Sequence, residues 1–254
     1  MKTQIDHIVG GIYRIATAVP DRPVTYNQFL VDDEAPTLIH TGQYELYDAT
    51  RAAIAEVLDP KRLENIVLLH WEGDENGGMD RFMAEAPKAT LVGSALSIRL
   101  NASGFGLGER SRGFQDGDFL ELGTHTMRFL ETPHVHHWDS MMVVEEATNS
   151  LFPSDLFLQP GDQPPVVTEN LAPDMIASYR NLGIFAHEKP VRDVVDRIEA
   201  LDPKWVHAMH GGTLTAEVLP TYMTALREQD FGYRGMLMGR ELNRKVALPS
   251  RAAS

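Results

Sequence analysis

The 254-residue chain contains no cysteine. That absence excludes a disulfide framework, a Cys-ligated iron–sulfur cluster, a thiolate zinc site and a cysteine nucleophile. A metal in this protein must therefore be held by imidazole and carboxylate. Basic residues are scarce beside acidic ones, 23 against 36, for a formal charge of −13. Nucleic acids and anionic membranes are polyanions, so the long-range field argues against either as a partner. Long apolar runs are missing too, and nothing approaches the roughly 20 residues needed to cross a bilayer. The start, Met1 to His7, has no apolar stretch of signal-peptide length, which points to the cytoplasm.

What is present is a 43% hydrophobic composition, enough to build a core. Without repeats or low-complexity tracts, one domain over residues 1–242 is the simplest expectation. Residues 243–254 have little to bury and form a candidate disordered tail. Short strands are expected over 11–17 and 25–31, with Pro20-Asp21-Arg22-Pro23 as the turn, and over 37–40. Ile66-Val67-Leu68-Leu69 reads as a strand buried on both faces. Hairpins are expected over 119–130, turning near Gly123, and over 141–152. Helical spacing marks 47–58, 80–86 and 216–227, and Val191, Val194, Val195, Ile198 and Leu201 form an amphipathic stripe. A last strand covers 205–209. Two β-rich halves with helices outside them suggest an α/β (α+β) αββα sandwich.

Seven candidate site residues sit where strands give way to loops. In His70-x-Glu72-x-Asp74, an extended backbone would turn all three side chains to one side and send Trp71 and Gly73 away. Glu75 follows directly. The segment Glu131 to Ser140 holds His134, His136 and His137, of which one is a plausible ligand. Asp155 is embedded in Leu151-Phe152-Pro153-Ser154-Asp155-Leu156-Phe157, and a buried carboxylate needs a partner. His210 precedes Gly211-Gly212 at the end of the last strand. Gly104-Phe105-Gly106-Leu107-Gly108 has the wrong spacing for a phosphate-binding loop and reads as a flexible loop near the mouth of the site.

In this order, the motifs resemble the metallo-β-lactamase superfamily and, within it, the flavodiiron and oxygen-binding diiron proteins. That branch has His-x-Glu-x-Asp, here His70, Glu72 and Asp74. Its His-Trp-Pro-Asp-Ser-Met segment is matched by His136, Asp139, Ser140 and Met141, with His137 and Trp138 in place of Trp and Pro. Its Phe-x-x-Asp-x-Phe segment is matched by Phe152, Asp155 and Phe157, and its His-Gly by His210 and Gly211. The resemblance runs from about Gly11 to Leu226.

The resemblance implies two mixed β-sheets flanked by helices. It implies one iron on His70, Glu72 and His136, a second on Asp74 and His210, and Asp155 bridging them. The branch commonly has histidine where this chain has Glu75, the candidate catalytic residue. Glu75 could ligate, hydrogen-bond a water on that iron, or leave an open position. A carboxylate at 72 hardens the site and favours iron or manganese over zinc. The implied function is binding, and potentially reduction, of O2 or NO by a soluble non-haem diiron protein. The chain ends where flavodiiron proteins carry a flavodoxin-like domain, so no FMN is expected. It would then bind or sense its ligand, or act as an oxidoreductase fed by an external flavoprotein. A homodimer is left open. The alternative is a binuclear zinc hydrolase of a lactone, thioester or phosphodiester, a reading that expects histidine at position 72.

Overall fold

Period-two alternation of apolar residues decides how the strands pack. In the computed structural model, which describes residues 1–242, the first sheet contains β1 (Lys2–Val9), β2 (Ile12–Ala18), β3 (Thr25–Val31), β4 (Thr37–Ile39), β5 (Asn65–Val67), β6 (Thr90–Ser94) and β7 (Ser111–Phe114). They lie in chain order, antiparallel as far as β4 and parallel from β4 to β7. The second sheet contains β8 (Phe119–Glu121), β9 (Thr126–Glu131), β10 (Met141–Glu145), β11 (Ser150–Phe152), β12 (Val166–Val167), β13 (Trp205–His207) and β14 (Thr213–Thr215), in the order β12-β14-β13-β11-β10-β9-β8. Within it β11 runs parallel to β13, whereas β9, β10 and β11 are successively antiparallel. Both sheets are therefore mixed. The tail expected over 243–254 lies outside the described residues.

Seven α-helices lie among the described residues: α1 (Tyr47–Ala55), α2 (Gly73–Asn76), α3 (Met79–Glu85), α4 (Ala95–Leu100), α5 (Ala172–Leu182), α6 (Lys189–Leu201) and α7 (Leu219–Glu228). A small hairpin, β15 (Met236–Leu237) with β16 (Arg240–Glu241), follows them.

Each central strand sends alternate side chains to different cores. Phe29, Val31, Ile39, Val67 and Leu69 from the first sheet meet Phe129, Met141, Val143 and Phe152 from the second. Their in-between neighbours Leu30, Leu38, Ile66 and Leu68 pack outward with Tyr47, Ile54, Phe82 and Met83. On the far side, Met142, Val144 and Leu151 pack with Tyr179, Val195, Ile198, Tyr222 and Leu226. The result is the αββα sandwich, with helices covering both outer faces.

The expected strands and helices recur with end shifts of a few residues, and α7 begins at Leu219 rather than 216. Several elements had no expectation. Strand β1 is half-exposed along its length, so its sequence lacks a clean apolar face. Helix α5 had no range of its own, falling within a C-terminal third expected to be mostly helical. The glycine-rich segment expected to be a flexible loop contains two short 3-10 turns, Ala102–Phe105 and Gly108–Arg110. It also places Phe105 against Trp71, with ring centroids 5.4 Å apart.

Phe82 is fully buried and its ring lies 4.7 Å from that of Tyr47. Phe82→Ala is expected to cost about 3–5 kcal/mol, through lost transfer energy and the cavity left behind. A lower denaturant midpoint at unchanged slope would show it.

Candidate metal centre

Parallel neighbours end on the same side of a sheet, and this brings the site together. His40 and His70 follow the adjacent parallel strands β4 and β5. The segments carrying His136, Asp155 and His210 follow β9, β11 and β13, which share one direction. All five therefore leave one rim of the sandwich.

After β5 the chain bends at Leu69 and His70, is extended at Glu72, with φ −132° and ψ 148°, and then makes the single helical turn of α2. The fully extended 70–74 segment expected from the sequence is corrected here, because the turn begins at Gly73. The turn puts both Asp74 and Glu75 into the site. It fits because Gly77 lacks a Cβ, which would stand 2.5 Å from the Tyr44 nitrogen and 2.7 Å from the Gly73 oxygen. Trp71 points aside onto Phe105, as expected.

Asp155 is buried at the centre. Its Oδ2 lies 2.8 Å from His136 Nε2 and 3.5 Å from His70 Nε2, and its Oδ1 lies 3.5 Å from His210 Nε2. Glu72 Oε2 is 3.1 Å from His136 Nε2 and 3.2 Å from His70 Nε2. Asp74 Oδ2 is 3.8 Å from His210 Nε2. Among the described residues, His70, Glu72, His136 and Asp155 form one group able to converge on a cation, and Glu75, Asp155 and His210 form another. Asp155 belongs to both. His134 is exposed, while His137 comes no nearer than 3.7 Å to Glu72.

The imidazoles are oriented from behind. His210 Nδ1 donates to the Thr25 carbonyl at 2.8 Å, which leaves its Nε2 facing Asp155 and Asp74. The next residue, Gly211, has φ +110°, and its carbonyl accepts from Arg14 at 2.7 Å and Asn27 at 2.6 Å. His70 Nδ1 is paired with Ser154 Oγ at 2.7 Å.

Crowding shows in the charges. Burial pulls the His136 ring down, but Asp155 and Glu72 outweigh it and raise it to about 9. Burial acts likewise on His210, which Asp155 and Asp74 lift to about 10. Burial and then the Glu75 charge push Asp74 up to about 6. Hydrogen bonds from His136 and His70 hold Glu72 well below the usual carboxylate range. Burial opposes ionisation of Asp155, yet the three histidines hold it low. Protonated imidazoles thus supply the positive charge that the carboxylates demand.

Even so, demand exceeds supply. Both Glu75 oxygens and Asp155 Oδ1 are buried without a hydrogen-bond partner. Each of these carboxylates faces imidazoles within 3.5 Å yet keeps an oxygen without a hydrogen bond, an arrangement that a cation would complete. Hard oxygen donors with imidazole nitrogens fit iron, manganese or zinc.

The sequence reading missed His40, which is wholly buried and lies 3.1 Å from Glu75. It also missed Ser154. The available signal for His40 was a histidine closing an apolar strand, the same signal that marked His70. A cavity of about 150 Å³ opens beside the cluster. Glu72, Asp74, His136, Asp155 and His210 line it, with Val24, Leu158, Leu182, Ile184 and Met238 as its apolar wall.

Comparison with known proteins bears on the fold. The rubredoxin-oxygen oxidoreductase of Megalodesulfovibrio gigas is 31% identical over 136 residues, 53% of this chain and 34% of that protein. The first curated relatives are likewise longer, and the chain matches 33% to 36% of their lengths. The solved rubredoxin oxygen:oxidoreductase of Desulfovibrio gigas superposes with a TM-score of 0.79 at 22% identity, covering 89% of this chain and 61% of that one. The apo chemotaxis sensor ODP of T. denticola superposes at 0.75 with 18% identity, covering 91% of this chain and 96% of that one. At these identities the structural likeness is one of fold, the metallo-β-lactamase-like core of flavodiiron proteins. Among the described residues no helix is long and apolar enough to cross a membrane. The ODP family beta lactamase profile matches residues 24–211, and the chain belongs to that family.

Proposed function

We propose that the chain is a diiron protein that binds O2 or NO. His70, Glu72 and His136 would hold one iron, Asp74, His210 and Glu75 the other, and Asp155 would belong to both sets. The observation that carries this reading is the pair of donor groups sharing Asp155, with three buried carboxylate oxygens lacking partners. Ferrous ions held there would supply the redox chemistry that a diatomic ligand needs. The surrounding residues bind, orient and exclude water. Thr25 and Ser154 fix the His210 and His70 rings, and Leu158, Leu182 and Ile184 keep the entrance dry.

The cavity volume supports a small ligand. At about 150 Å³ it falls below the roughly 300–1,000 Å³ typical of sites for larger organic ligands. Glu75 is not among the residues lining this opening. It acts as a ligand in this reading, and the ligand enters on the opposite side. In this reading the protein is cytoplasmic and an external flavoprotein supplies electrons for any turnover.

One observation favours the zinc-hydrolase reading: Arg22 also lines the cavity and would suit an anionic substrate. Anaerobic purification, metal analysis and spectra before and after air separate the two. About two irons per chain and an oxygen-dependent absorption band are expected. Stoichiometric zinc with an unchanged spectrum would sink the diiron reading.

A further inference from the structure

His40 stands behind the cluster and has no role in the ligand set above. Its ring is fully buried, and its backbone takes the left-handed conformation at φ +60°. A non-glycine residue holds that conformation only where its surroundings compel it. Here the compulsion is visible. The His40 N–H donates to the Val67 carbonyl at 2.8 Å, and the Leu69 N–H donates to His40 Nε2 at 3.2 Å. The next residue grips the α2 turn, since the Thr41 N–H and hydroxyl both donate to the Glu75 carbonyl, at 2.6 and 3.0 Å.

These bonds decide the tautomer. A ring nitrogen that accepts from a backbone N–H carries no proton, so in the neutral imidazole the proton sits on Nδ1. Nδ1 lies 3.1 Å from Glu75 Oε2. Glu75 Oε2 in turn lies 2.8 Å from His70 Nε2. Neither contact is aligned as a hydrogen bond, so His40 Nδ1 and both Glu75 oxygens are buried polar atoms without one. Each is the other's neighbour. His40 also belongs to a possible cation-holding group with His70 and Glu75, but its Nε2 lone pair is already used by Leu69.

We propose that His40 is a positioning residue: with metal bound, its Nδ1–H donates to Glu75 Oε2 and leaves the other carboxylate oxygen for the second metal. This rests on the diiron reading above. The side chain at position 75 is a long acid with three torsions, and without a fixed partner its oxygens would sample several directions. A donor on a rigid ring, locked by the β4 and β5 strand ends, removes that freedom. Partners of this kind are worth about 10–100-fold in metal affinity.

Two readouts test it. In the metal-free protein, 15N NMR of the histidine rings is expected to show His40 with the proton on Nδ1 and Nε2 bare. A proton on Nε2 would overturn the assignment whether or not the protein binds iron. The second readout is competitive metal titration of the wild type, His40→Asn and His40→Gln, with circular dichroism verifying the fold. Asparagine keeps a donor near the Nδ1 position, and glutamine keeps only the acceptor towards Leu69. His40→Gln is expected to weaken the second metal at least about tenfold and spare the first, with His40→Asn closer to wild type. Equal affinities in all three proteins would overturn the proposal, as would equal loss of both metals in folded His40→Gln. A wild type that takes up no metal defeats the diiron reading itself, and with it the role of His40 towards a metal.

Discussion

Asp155→Ala is expected to empty both halves of the site, taking the metal content from about two ions per chain to near zero. Asp155 is the member common to the two donor groups, with one oxygen facing His136 and His70 and the other facing His210. Removing it leaves three buried imidazoles around a gap and takes one ligand from each metal at once. Asp155→Asn keeps the shape and removes the charge, and should lose metal nearly as completely. A role confined to one metal predicts retention of the other ion instead. Metal analysis after gel filtration distinguishes the outcomes, with circular dichroism verifying the fold. His7→Ala is the control, because His7 is exposed and its ring bonds to the Gly10 carbonyl, away from the cluster. Two ions retained in Asp155→Ala would refute the bridge.

The second large effect is a divergence with pH between metal-free and metal-loaded protein. In the metal-free fold His136 is raised from 6.5 to about 9 and His210 to about 10. A raised imidazole binds its proton more tightly folded than unfolded. Its stabilisation is therefore complete below pH 6.5 and lost as pH climbs through 9 and 10. Asp74, raised from 3.8 to about 6, acts in the same direction over pH 3.8 to 6. Glu72 and Asp155 are depressed, so their contribution is present above the ordinary carboxylate range and lost on acidification. The metal-free protein should thus lose Tm between pH 6.5 and 10, on the order of 5–10 °C. Metal needs the same nitrogens deprotonated, so its affinity rises with pH and its binding releases protons. The gap in Tm between loaded and metal-free protein should widen steadily over this window. A constant gap would mean that the histidines carry no proton that metal displaces.

Local pattern carried much of the fold. Alternation in Ile66-Val67-Leu68-Leu69 and in Met141-Met142-Val143-Val144 divides each strand between two cores, and the α6 stripe is legible in its spacing. Edge and half-exposed elements were harder to see. The sequence Lys2–Val9 has no continuous apolar face because this edge strand is partly exposed along its whole length. The short turn of α2 hides inside a run of ligand residues, since Gly73 permits either an extended or a helical path and neighbouring loops choose between them.

By itself, the sequence determined the chemistry of the centre: without cysteine, a metal can be met only by imidazole and carboxylate, and strand-end positions singled out the residues now found together. Tertiary structure decided which of them share Asp155, that Glu75 is buried rather than at the mouth, and that His40, Ser154 and Thr25 stand behind the ring of donors. The physical reason is range. Periodicity and turn chemistry act over a few residues, whereas Thr25 meets His210 across 185 positions and Ser154 meets His70 across 84. Contacts of that kind exist only once parallel strands have brought their ends to one rim.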